Sequence, residues 1–159
     1  MNKVNQVNKL HEQAMDLAEE VYLAQRKKDT ETAEKWAKEA FELEKKAAML
    51  LVNDYELEPT RSVLFKGAAC LAINANLYRD AERMIGFALS GNPPIEIGEE
   101  LRNLILEIHT RKQTASLKDQ LLANQIYQLP KEMQKMIKDF IDFLIYKQSK
   151  RAWCREQRY

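Results

Sequence analysis

The sequence predicts an all-α protein: a right-handed stack of antiparallel helix hairpins over about residues 5–112, followed by a helical extension over about residues 117–150. Three observations carry this expectation. Only 4 Gly and 4 Pro occur in 159 residues, while 45% are hydrophobic and 31% charged, a balance that suits solvated helices and starves a turn-rich β fold. Apolar residues at Val7, Leu10, Ala14, Leu17, Val21 and Ala24 recur in steps of three and four, the spacing of one helix face. Finally, the stretch from Leu64 to Pro94, LFKGAACLAINANLYRDAERMIGFALSGNPP, reads as two short helical patterns around a polar turn.

Taken in order, the first helix is expected over about Asn5 to Lys28. Asp29 breaks it, and Thr30 is placed to accept the free amides of a second helix, about Glu31 to Asn53. The small residues Ala33, Ala37, Ala40 and Ala47 let that helix approach the first closely, beside Trp36, Phe41, Leu43 and Leu50. Between Asp54 and Pro59 the proline pushes its predecessor out of the helical region. A third helix follows from about Thr60 to Ala75, with Asn76 suited to a left-handed turn. The fourth, Tyr78 to Ser90, ends at Gly91. Asn92, Pro93 and Pro94 start a fifth, whose stripe is Ile97, Leu101, Leu104, Ile105 and Ile108. The polar run Gln113 to Ser116 is expected to be a hinge, before a short helix from Leu117 to about Gln128. Pro130 then opens a last helix with Met133, Met136, Ile137, Phe140, Ile141 and Leu144 on one face, widened by Phe143 and Ile145. The domain boundary is accordingly drawn between 1–112 and 117–159. The core should include Leu17, Val21, Trp36, Ala40, Phe41, Leu64, Ala68, Leu71, Ala81, Ile85, Ala88, Leu101 and Leu104.

A formal net charge of +1 creates no global field for nucleic acid or membrane, so such a partner would need a local patch. Cys70 and Cys154 are far apart, without metal-ligand spacing to another Cys or His. The start MNKVNQVNKL has no signal-peptide core, and the longest apolar run, Ala47 to Val52, is far too short to span a bilayer. A cytoplasmic protein without cofactor, metal or membrane partner is expected. No glycine-rich phosphate loop, nucleophile elbow or paired carboxylates stand out. Glu39, Glu42, Glu44, Glu99, Glu100, Asp139 and Asp142 read as solvated charges, and His11 as a histidine without a second ligand.

Residues 60–94 resemble a tetratricopeptide repeat at Ala68, Ala69, Tyr78, Ala81, Ala88 and Pro93. Residues 10–45 resemble a degenerate copy at Leu17, Ala33, Ala40 and Phe41. The interval from Ala33 to Ala81 is 48 residues instead of the repeat's usual length of about 34, so the resemblance implies an irregular array. Residues 30–108, through AFELEKKAAMLL, EPTRSVLFKGAACLA and GNPPIEIGEELRNLI, also resemble a bacterial group of small tetratricopeptide-like proteins with no established activity. The segment LPKEMQKMIKDFIDFLIYK is similar to a short bacterial domain of unknown function often met beside toxin–antitoxin genes.

Four sets of residues are candidates for function. Lys66, Cys70 and Asn74, four apart on the third helix, lie where the repeat resemblance implies a concave binding face; a partly solvated helix face explains them as well. Arg102, Asn103 and His109, in RNLILEIH, resemble the ribonuclease motif of the higher eukaryote and prokaryote nucleotide-binding domains. That resemblance implies that Arg would hold a phosphate and His move a proton; a helix facing water is the alternative. The stripe Met133, Met136, Ile137, Phe140, Ile141, Leu144 fits a partner protein or a second copy. In the tail, Lys150, Arg151, Trp153, Arg155 and Arg158 combine cations with a stacking ring that could meet nucleic acid, or simply favour a helix C-terminus. The expectation is a non-enzymatic interaction module, an adaptor or regulator. The alternative is a small ribonuclease toxin or its antitoxin.

Overall fold

The computed structural model describes the backbone of residues 2–156 and the side chains of residues 2–147. Among the described residues all regular structure is helical: α1 Lys3–Arg26, α2 Thr30–Leu50, a single 3-10 turn Tyr55–Leu57, α3 Thr60–Asn74, α4 Tyr78–Leu89, α5 Ile95–Tyr127 and α6 Lys131–Glu156. The chain divides into two compact units, residues 1–111 and 112–159.

In the first unit, α1 and α2 run antiparallel. Lys3 at the start of α1 pairs with Asp54 beyond the end of α2, His11 pairs with Glu44, and Val21 packs with Ala37. Alanines make this close approach possible: Ala14 on α1 and Ala37, Ala40, Ala47 and Ala48 on α2 are fully buried. The turn between them places Lys28 in the left-handed region at φ 58°, and Asp29 donates its amide back to Ala24 O at 3.0 Å. That six-to-one bond closes the helix end in the manner usually served by glycine. Asp29, not Thr30, caps α2: its carboxylate accepts the Thr32 amide at 3.1 Å, and the Thr32 hydroxyl first, then this amide, hold the acid below its ordinary range. An acid also suits the positive end of the helix better than a hydroxyl does.

The turn between α3 and α4 repeats the device. Asn76 is left-handed at φ 58°, as its residue type predicts, and the Leu77 amide reaches Ala72 O at 2.8 Å. Here Asn76 adds side-chain bonds to Glu34 and Tyr78. Gly91 follows α4, but with no positive φ. Its role is steric, since a Cβ would stand 2.5 Å from Arg61 Nη1 and 2.6 Å from Glu58 Oε1.

Phe41, Phe65, Ile85, Leu101 and Ile108 are the largest apolar side chains wholly inside the first unit. Leu101 and Ile108 bring the first half of α5 onto the core shared by α2, α3 and α4. Leu17, Trp36 and Leu104, expected in the core, are only partly buried at its edge. The hinge expected at Gln113–Ser116 is absent, because α5 is one helix of 33 residues. Gln and Ala are good helix formers, and Thr114 and Ser116 cost only tenths of a kcal/mol each, about 0.5 at most. With no Gly or Pro to stop it, the polar run reports solvent around the helix: residues 109–125 are all exposed.

Candidate interaction surfaces

Lys66, Cys70 and Asn74 share a face of α3, as their spacing requires, and all three are half-buried. The first half of α5 lies beside Lys66 and Cys70. The Lys66 ammonium is paired with Glu100, and Cys70 lies within the fields of Lys66, Glu107 and Glu100. Burial pushes the Cys70 thiol up, and the two glutamates reinforce that against Lys66. Both effects favour the protonated thiol over the thiolate. The lysine charge is already neutralised by a neighbour.

Arg102, Asn103 and His109 are exposed on α5. Their seven-residue spacing follows from the fold, because Leu101 and Ile108, each one residue earlier, form the fully buried seam of that helix. Arg102 and His109 thus occupy the adjoining solvent face two turns apart.

The second unit is the opposite of the first. None of residues 112–147 is buried. On α6, Met133 is 52% exposed, Met136 70%, Phe140 61%, Ile141 45% and Leu144 42%; Ile137 alone of the stripe is half-buried. Phe143, Ile145 and Tyr146 are exposed too, as are Leu117, Leu121 and Leu122 on the second half of α5. Soluble chains rarely leave so contiguous an apolar row uncovered without a partner for it. Lys150, Arg151, Trp153 and Arg155 fall in the last turns of α6, whose side chains lie outside the described residues, as does Arg158 altogether.

No protein-family model, curated protein or solved structure matches this chain. Among the described residues, no group of three or more His, Cys, Asp or Glu could hold a metal ion, and no helix is long and apolar enough to cross a membrane.

Two polar clusters escape sequence reasoning. Glu44, expected on the surface, is 1% exposed, and its carboxylate meets His11 Nδ1 at 2.9 and 3.1 Å. Gly67 makes this possible, since a Cβ there would stand 2.7 Å from Glu44 Oε1. Burial pushes the Glu44 carboxyl up, while the hydrogen bond and charge of His11 pull it back. His11 also borders a shallow cleft of about 220 Å³ with Val7, Asn8, Pro59, Thr60, Val63 and Leu64. That volume is below the roughly 300–1,000 Å³ of ligand pockets.

Arg61 is the second cluster, with no exposed surface. Its guanidinium donates to Val52 O at 3.0 Å, Phe87 O at 2.8 Å and Glu58 Oε1 at 3.3 Å, between the rings of Tyr55 and Phe65. It joins the end of α2 to the end of α4, whose last carbonyls have no helical partners. Glu44 falls on the buried seam of α2, three residues after Phe41 and three before Ala47, where its charge argues for solvent instead. For Arg61 the sequence offers only its place two residues after a proline.

Proposed function

We propose that this chain is a non-enzymatic protein-interaction module, an adaptor or regulator that engages another polypeptide through α6. The observation that carries the reading is the exposed row Met133, Met136, Phe140, Ile141 and Leu144. In this reading the first unit is a scaffold, an irregular tetratricopeptide-like stack held by its own apolar core, and the second unit presents the binding surface. Lys66, Cys70 and Asn74 are secondary to it, since all three are half-buried and Lys66 is ion-paired. The bacterial resemblances in the sequence agree with a regulator, and an antitoxin would be one form of it.

A photo-reactive benzoylphenylalanine placed at Phe143 of the full chain, irradiated in the producing cell, tests the reading. Covalent adducts to protein are expected, and they should disappear when Phe140→Asp is added. Irradiation that yields no adduct would overturn an interaction role for α6.

A further inference from the structure

We propose that the polypeptide covering α6 is a second copy of this chain, packed antiparallel about a two-fold axis passing between Lys138 and Asp139. The inference rests on the interaction reading above and names its partner.

The first argument is the order of the apolar positions. Residues 133, 136, 137, 140, 141 and 144 are spaced three, one, three, one, three, which reads identically in both directions along the helix. In an antiparallel pair centred on the midpoint of that series, each of these six positions lies level with another of the six in the second copy. Two-fold interfaces are self-complementary in this way: residue i meets j, and j meets i.

Packing geometry agrees. Met133, Ile137, Phe140 and Leu144 fall at alternating d and a positions of a heptad, the seam along which two helices interlock. In the antiparallel register Met133 faces Leu144 of the second copy, and Ile137 faces Phe140, so each layer combines two apolar side chains. Met136 and Ile141 close the two rims. Phe143, whose mirror position is Gln134, adds apolar area at one of them.

Area decides whether this is enough. The exposed side chains of the face include two phenylalanines, which bury on the order of 150–250 Å² each when wholly covered. The exposed parts of Met133, Met136, Phe140, Ile141, Phe143 and Leu144 offer roughly 100 Å² apiece, on the order of 600 Å² per helix, at the lower end of the roughly 600–1,000 Å² per partner of a stable interface.

Site-directed cross-linking tests both partner and register. In a full-length Cys70→Ser, Cys154→Ser background, Met133→Cys and Leu144→Cys chains are prepared separately, then mixed and oxidised. The mixture is expected to give a disulfide dimer, and each chain alone to give none, because like positions lie about 16 Å apart along the axis at 1.5 Å per residue. That is far beyond the roughly 4.4–6.8 Å Cα separation a disulfide spans. A cross-link from Met133→Cys alone, or none from the mixture, would overturn the proposal. Light scattering on the unaltered chain gives an independent reading: twice the chain mass is expected, falling to one chain with Phe140→Asp, and a monomer at the highest soluble concentration would overturn it. If the chain is a monomer while benzoylphenylalanine at Phe143 marks a different protein, the second copy is refuted and the interaction reading survives. No adduct of any kind refutes both.

Discussion

Arg61 shows how one side chain can hold several segments at once. A buried guanidinium is tolerable only when its donors are matched, and here carbonyls from the ends of α2 and α4 and the Glu58 carboxylate do so. Lysine carries the same charge but lacks the planar fork, so Arg61→Lys should be unable to reach Val52 O, Phe87 O and Glu58 Oε1 together. We expect it to cost about 3 kcal/mol, read as a lower urea midpoint, in the range found when a buried ion pair is broken. Gly91→Ala should lose stability too, because its Cβ would occupy the space of the Arg61 and Glu58 side chains. A midpoint within experimental error of the parent for both would remove Arg61 from the list of residues that fix the fold. Glu44 makes a pH-dependent prediction. Its pKa is raised in the folded chain above the ordinary 4.5, chiefly by burial. The stability it contributes is therefore complete below the ordinary glutamate range and is lost as pH rises through the folded value. Glu44→Gln keeps a hydrogen-bonding partner for His11 and cannot ionise. Relative to the parent, the variant should gain stability as pH is raised from about 4 toward neutrality. A constant difference across that range would show that the carboxyl titrates as it does in the unfolded chain.

At the scale of the element, the two helix–helix turns use one backbone solution with unequal residues. Lys28 holds a left-handed φ that costs an L-residue about 1 kcal/mol, and no side-chain bond is recorded for it in return. Asn76 holds the same φ while bonding Glu34 and Tyr78. Lys28→Gly should accordingly stabilise the chain by about 0.5–1 kcal/mol, and Asn76→Gly should gain less or lose, both measured by chemical denaturation. Equal effects would mean that the Asn76 side chain does nothing for the turn. These turns also mark where sequence reasoning works. Apolar periodicity placed the helix pairs of the first unit to within a few residues, and Asn76 announced its conformation, because local steric preference and core burial both favour the same answer there. Lys28 gave no such sign, since the turn is imposed by packing of α1 on α2. The hinge expected at Gln113–Ser116 failed for a related reason. Polarity suggests a break, but a helix stops where a residue cannot continue it, and none of those four is such a residue. Glu44 and Arg61 were unreadable because charge ordinarily means solvent. Only tertiary partners distant in sequence make them buried groups. For the candidate sites, the α6 stripe was legible from its periodicity, whereas the Arg102–His109 spacing reproduced the buried seam Leu101–Ile108 beside it.

Across the whole chain, the two units differ in what can stabilise them. The first has an apolar core of its own, with Phe41, Phe65, Ile85, Leu101 and Ile108 fully enclosed. Its unfolding should therefore be independent of protein concentration. Residues 112–147 bury no side chain. Isolated helices draw little stability from backbone propensity, being marginal below about 12–15 residues even in favourable sequences, so a helix such as α6 depends on packing its apolar face. If that packing comes from a second copy, mass action links helix stability to concentration. Amide hydrogen exchange at two protein concentrations separates the contributions. Amides of α2 and α3 should be equally protected in both samples, while those between Met133 and Leu144 should exchange fast in the dilute sample and slow in the concentrated one. Phe140→Asp should leave the first set unchanged and keep the second fast throughout. Equal protection of α6 at both concentrations would sever its stability from self-association, and a concentration dependence shared by α2 and α3 would mean that the first unit also requires the assembly to fold.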